Sequence, residues 1–410
     1  MPDYPADRIF APVKSVKEIA DNGHTPFYLY NEDGIRNSIF SIQNAFSWVP
    51  QHQNYFALRK NTNPYLLKIL SEAGSGVSVV SRTELEYAVK CGFTGDMLLY
   101  EPSVRDTRAE EIAANHDTVW LFNSAATIPD AIPRKLFLRY NPCDLMFPSQ
   151  TKQTVTRSKN GFNRSQIIDM ILKLQEKGAE QIGLALEVSS YSIQSGFWSR
   201  KASILFSLAE EISHKTGTQI WGFYIGEGPG LPYHPRFTAP DLKSEAEAVH
   251  TAYDRTFDGF RPAVYTGVCS RVMEAHGLLI TKVLEQRYIY KTFLLVDAGV
   301  CQYSRSVLKQ AYRHVSVLGK NQTEDRKLYS VVGSLPESFD RLVSKGRLLP
   351  KVEPGDYCVV HDVGCGGRSM PLLYGFRPIA AEFLYQSDGT IRQIAPGRTE
   401  QEVLNFLTAW

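Results

Sequence analysis

Between Tyr55 and Gly267 short apolar runs alternate with amphipathic stretches, and this alternation constrains the fold more than any other feature. The runs are YFALR (55–59), VSVVS (77–81), DMLLYE (96–101), VWLFN (119–123), KLFLRYN (135–141), IGLALEVS (182–189), IWGFYIG (220–226) and AVYTG (263–267). Helical patterns lie between several of them. In SQIIDMILKLQEKG, Ile167, Ile168, Ile171 and Leu174 recur with period 3.6 and Gly178 supplies a stop; SILFSLAEEISHKTG repeats the pattern and ends at Gly217. Strands alternating with helices in this number fit a TIM-type (β/α)8 barrel better than an open doubly wound sheet.

Beyond residue 285 the pattern changes. YKTFLLVDAG, KLYSVVGS, GDYCVVHDVG, AAEFLYQSDG and TIRQIA are short, β-rich and punctuated by Gly and Asp, as expected of an all-β domain. TPFYLYNEDG (25–34) is also strand-like. The division expected is therefore an N-terminal strand segment over 1–35 that joins the β domain, a barrel over 36–285 and a C-terminal β domain over 286–410. SEAEAVHTAYDRTF (244–257) reads as a charged amphipathic helix on the barrel exterior.

Charge narrows the partners. Lys+Arg 45 against Asp+Glu 43 gives a net charge of +2, which offers no field for nucleic acid or an anionic membrane. A small-molecule partner is expected. The N-terminus lacks the apolar core of a signal peptide and no stretch is long and apolar enough to span a membrane, so a cytoplasmic protein is expected. The six cysteines are scattered without a CxxC pair and the histidines do not cluster, so neither a disulfide framework nor a metal site is indicated.

The order of motifs resembles the fold-type III pyridoxal-phosphate decarboxylases, the group acting on diaminopimelate, ornithine and arginine, with an alanine-racemase-like barrel followed by a β domain. TPFYLY is similar to the family's opening Thr-Pro-x-Tyr-x-Tyr. GSGVSVVSRTELEYAVKCGF (74–93) keeps its Ser81 and Glu84, and LRYNP, SKNGF, YIGEGPGLPY, VDAGV, GSLPESFD and GDYCVVHDVGCGG follow in family order. The resemblance implies pyridoxal phosphate as cofactor, an amino-acid-like substrate, a Schiff-base lysine, a carboxylate beside the pyridine nitrogen and a glycine-rich phosphate loop. It also implies a homodimer with sites at the interface. By position it brings Ser190, Gly226, Gly228 and Arg271 to the cofactor, and Glu337 and Asp340 to the substrate.

The sequence departs from that family at its chemical positions. Aligned through Asn61 and Pro64, the lysine falls on Arg59, with Lys60 next. Ala185 and Glu187 replace two histidines, the Gly-Gly-Gly loop is Gly226-Glu227-Gly228, and Glu-Pro-Gly-Arg corresponds to Gly267-Val268-Cys269-Ser270, with Arg271 one place along. Pro336 replaces a cysteine and Gly366 a tyrosine. Strand alternation puts Ala57 and Arg59 on one face and Lys60 on the other, so Arg59 is expected to aim into the mouth. Lys60 then serves only if the strand ends early or bulges; otherwise it is a solvated lysine. Arginine stays charged and cannot form a Schiff base, although its fork suits a carboxylate or phosphate. Glu187 is expected near Arg59, as its ion-pair partner or as an acid–base group, and Glu227 is expected to face outward. Three readings follow: a decarboxylase-like lyase or epimerase of a specialised biosynthetic pathway using Lys60, a cofactor-free enzyme using Arg59 and Glu187, or a non-catalytic regulatory pseudoenzyme.

Overall fold

A computed structural model describes residues 9–142, 158–188, 193–234, 236–308, 312–320, 325–343 and 345–408. The first strand, β1 (Phe27–Asn31), belongs to the sheet domain. Eight parallel strands then close a barrel: β2 (His52–Ala57), β3 (Gly76–Val79), β4 (Leu98–Tyr100), β5 (Val119–Phe122), β6 (Lys135–Arg139), β7 (Gln181–Ala185), β8 (Gly222–Tyr224) and β9 (Ala263–Thr266). β9 returns to β2 in register His52 to Val264, which completes the closure. These are the eight runs legible in the sequence.

The barrel interior is packed shut below its mouth. Tyr55, Leu99, Val119, Phe137, Trp221 and Tyr265 are among the side chains that fill it. Gly183 leaves the space this requires, since a Cβ there would lie 2.6 Å from the Phe137 ring. Barrels of this kind keep their sites at the C-terminal ends of the strands.

Local signals set the helix limits. Asn163 and Gln166 form a reciprocal capping box at the start of the helix Arg164–Glu176. The helix Phe197–Thr216 starts earlier than its apolar period suggests, because the Glu245 carboxylate accepts from the backbone of Gly196 and Trp198; Gly217, at φ 69°, ends it. Glu245 sits on the exterior helix Leu242–Thr256, so one side of that charged helix is structural.

The sheet domain comprises β10 (Gly277–Tyr288), β11 (Thr292–Val296), β12 (Val315–Val317), β13 (Arg326–Val332), β14 (Arg347–Pro350), β15 (Tyr357–Val360), β16 (Ala381–Tyr385) and β17 (Ile391–Ala395). It runs β14-β13-β11-β10-β1-β16-β17, with β15 joining β10 to β12. β1 pairs antiparallel to β10 and parallel to β16. The sheet begins at Gly277, within the range assigned above to the barrel. β10 was not separable by pattern, because its apolar half is buried and its polar half exposed along one continuous strand.

Candidate active site at the barrel mouth

β2 stops at Ala57, and Leu58–Lys60 form a single 3-10 turn. Strand alternation therefore does not reach Arg59 or Lys60, and the turn sends the two side chains apart. The sheet domain fixes it from above. The Lys60 carbonyl accepts from Gly366 N at 2.8 Å and Ser369 Oγ at 3.0 Å, and Asn61 Nδ2 donates to the Gly364 carbonyl at 2.9 Å. Lys60 is half-buried, not a solvated lysine.

Arg59 faces a carboxylate cluster. Burial opposes its charge, but Glu101, Glu187 and Glu84 outweigh that and hold its pKa above the ordinary arginine value. It forms no contact ion pair among the described residues, and its Nη1 is buried without a hydrogen-bond partner. Lys60 turns toward the sheet side. Burial and Arg305 oppose its charge, while Cys269, Cys365 and Glu227 favour it, leaving its pKa above the usual lysine value.

The cluster is assembled by four consecutive strand ends. Glu101 follows β4, Asn123 follows β5, Arg139 ends β6 and Glu187 follows β7. Asn123 Nδ2 donates to Glu101 Oε1 at 3.0 Å. Arg139 Nη1 lies 3.4 Å from Glu101 Oε1 and 3.5 Å from Glu187 Oε2, and its Nη2 donates to the Glu187 carbonyl at 3.2 Å. Glu187 thus takes Arg139 as its ion-pair partner in place of the expected Arg59. Burial, reinforced by Glu187, pushes the Glu101 carboxyl above the ordinary range in spite of Arg139 and Asn123. Glu101, Asn123 and Arg139 were not singled out from sequence, although each stands at the C-terminal end of a strand, the position where barrels keep their sites.

The glycine loop after β8 carries its acid inward. Glu227 is buried, against expectation, and its Oε1 accepts from Cys269 N at 2.9 Å, Ser270 N at 3.2 Å and Ser270 Oγ at 3.1 Å. Beneath the loop Lys201, fully buried, donates to the carbonyls of Ile225 and Glu227. Gly226 stands at φ 61°, and a Cβ there would meet Glu187 Cγ at 2.7 Å; a Cβ on Gly228 would meet the Trp198 ring at 2.6 Å. These glycines make room for protein side chains.

Arg271 donates from Nε to the Pro229 carbonyl at 3.1 Å and from Nη2 to the Pro240 carbonyl at 2.7 Å, tying the two together. Asp340 is likewise bonded into its own framework, accepting from Val300 N at 2.8 Å and Leu335 N at 2.9 Å. Glu337 accepts from the Tyr374 hydroxyl at 2.5 Å. Ser190 lies outside the described residues. Cys365 is buried, and burial pushes its thiol well above the ordinary value, which suits a packed side chain in a tight turn.

The comparisons with known proteins agree with this architecture. The family described as pyridoxal-dependent decarboxylase, C-terminal sheet domain, matches residues 13–364. Protein TabA of Pseudomonas amygdali pv. tabaci is 25% identical, the alignment covering 93% of this chain and 91% of that one. The diaminopimelate decarboxylase of Methanothermobacter thermautotrophicus is also 25% identical, over 94% and 92%. Among solved structures, a diaminopimelate decarboxylase from M. jannaschii in co-complex with L-lysine superposes with a TM-score of 0.84 at 20% identity, covering 95% of this chain and 93% of that one.

Pyridoxal phosphate, the cofactor such a fold implies, does not fit the residues present. By the motif alignment the Schiff-base lysine falls on Arg59, with Lys60 next to it and turned toward the sheet side. In the same alignment Gly267 falls at the place of the carboxylate expected beside the pyridine nitrogen, and the Tyr224 hydroxyl occupies the space of even a Cβ there. The glycine loop expected to hold the phosphate carries Glu227, whose carboxylate takes up the amides of Cys269 and Ser270.

Proposed function

The chain belongs to the pyridoxal-dependent decarboxylase family, and on that premise we propose that its barrel mouth binds a small amino-acid-like acid and works on it without a Schiff base. Arg59 takes the ligand's carboxylate, and Glu101 and Glu187 exchange a proton with it. The observation that carries this reading is the Arg59 guanidinium, buried with Nη1 unpartnered and facing two carboxylates that Arg139 already neutralises in part. A planar donor held in that state is complementary to a carboxylate, and the adjacent acids suit an ammonium group or a transferable proton.

The family and the lysine complex of the related structure support an amino acid as the ligand class. Among the described residues no helix is long and apolar enough to cross a membrane. Exposed Phe339 and Tyr374 pack ring against ring beside Glu337, an apolar patch that supports a homodimer.

Calorimetry of the purified protein against a panel of amino acids and short dicarboxylic acids tests the reading. Saturable binding that Arg59→Ala abolishes and Lys60→Ala leaves intact is the expected result. A yellow protein whose visible absorbance with pyridoxal phosphate disappears in Lys60→Ala would instead assign the site to Lys60 and the cofactor.

A further inference from the structure

We propose that Glu227 is a built-in occupant of an anion cup: its carboxylate sits where the fold's phosphate would go and closes that cup to free anions. This inference stands apart from ligand binding at Arg59, because it concerns the loop after β8 and the amides of Cys269 and Ser270.

The cup is formed by backbone. After β9 the chain turns so that two successive amides, Cys269 N and Ser270 N, converge on one point, and the Ser270 hydroxyl points there too. All three donate to Glu227 Oε1, at 2.9, 3.2 and 3.1 Å. Converging amides of this kind form a nest that favours an anion. A carboxylate oxygen with three donors satisfies the nest and leaves them nothing to offer a second acceptor.

The occupant is held in place from behind. Lys201, on the helix Phe197–Thr216, donates to the carbonyls of Ile225 and Glu227, on either side of Gly226. Its aliphatic stem is buried, and its ammonium lies 4.5 Å from the Phe197 ring centre. Those two anchored carbonyls fix the loop with the Glu227 side chain directed at the nest. A glycine at position 227 would present only backbone.

The neighbouring positions have been refilled in the same sense. Gly366 leaves the space that Arg305 Cδ occupies, so a guanidinium stem fills the place of a side chain at 366. Arg305 Nη1 lies 3.2 Å from Glu274 Oε1 in a buried network with Arg313. Burial pushes the Glu227 carboxyl above its ordinary range, while Lys60 and the three donors pull against that shift. Arg305 and Arg313 are thus committed to Glu274, and Lys60 is the cation that acts on Glu227.

Isothermal titration of the full-length protein with inorganic phosphate tests this. The wild type is expected to show no saturable binding. Glu227→Ala opens the nest and is expected to bind phosphate at least about tenfold more tightly than any residual wild-type affinity. Glu227→Gln keeps the acceptor oxygen and the volume, and is expected to stay closed. Glu227→Ser is a second opening variant should the alanine form fail to fold, with circular dichroism as the check. Wild-type phosphate binding at the mouth overturns the proposal. So do folded Glu227→Ala and Glu227→Ser proteins that take no phosphate, and so does a Glu227→Gln protein that binds as well as the alanine form.

Discussion

Arg139 Nη1 stands 3.4 Å from Glu101 Oε1, and this contact lets two carboxylates share the barrel mouth. The same nitrogen reaches Glu187, so one guanidinium offsets two acids that otherwise repel each other across a partly buried space. Removing it leaves both uncompensated. Arg139→Ala is expected to cost about 3 kcal/mol in urea unfolding, within the range for breaking a buried pair. Adding Glu101→Gln removes one of the stranded charges, so the double variant is expected to be more stable than Arg139→Ala alone. Equal stability of the two would show that the acids do not interact through Arg139.

Lys201 predicts a pH dependence of stability. Burial lowers its pKa from the ordinary 10.5 to about 7. Between those values the unfolded chain binds the proton and the folded one sheds it, so stability rises with pH across the window. Below about pH 7 both states are protonated and the cost of burying the charge is present in full. The slope attributable to this group is at most about 1.4 kcal/mol per pH unit. Lys201→Met, measured beside the wild type from neutral to alkaline pH, is expected to lose that slope, whatever its absolute stability. Parallel curves for the two proteins would remove Lys201 as the titrating group.

Much of the fold was legible because it depends on period. The eight barrel runs needed only apolar alternation with helices, and β1 was readable as a strand from TPFYLY alone. The site was legible only in part, and for a definite reason. Arg59 and Glu187 could be placed near the mouth, but pairwise geometry there depends on where each strand stops. β2 stops two residues before Arg59, in a turn held by Gly366 and Ser369 from far along the chain. No local pattern encodes that clamp. Glu227 was misjudged because its partners, the amides of Cys269 and Ser270, are backbone groups invisible in a sequence. Arg271 and Asp340 carry the residue types of ligand contacts, and each is also bonded to loop backbone.

The packing of Tyr224 against Gly267 yields a third prediction. The tyrosine hydroxyl fills the place of a Cβ at 267, and Gly226 backbone approaches at 3.3 Å. Gly267→Ala is therefore overpacked and is expected to cost about 1–3 kcal/mol. In a Tyr224→Phe background, where the clashing oxygen is gone, the same substitution is expected to cost less. A double-mutant cycle in chemical denaturation measures the difference. A coupling energy of zero would mean that the glycine answers to backbone demands and not to the tyrosine.

Restoring a lysine at position 59 distinguishes a missing amine from a blocked site. Arg59→Lys puts a primary amine on the turn residue that matches the Schiff-base position, and a deprotonatable amine is the first requirement for condensation with an aldehyde. The Glu227 carboxylate still occupies the nest formed by Cys269 and Ser270, and a second negative group brought there would meet it without free donors. The single variant is thus expected to remain colourless when mixed with pyridoxal phosphate and dialysed. Combining Arg59→Lys with Glu227→Ala is expected to give a visible absorbance band that survives dialysis and is removed by borohydride reduction. The comparison is made on folded protein, with thermal melting of each variant as the check. Colour in Arg59→Lys alone would show that the amine was the only missing part and that Glu227 does not obstruct the phosphate.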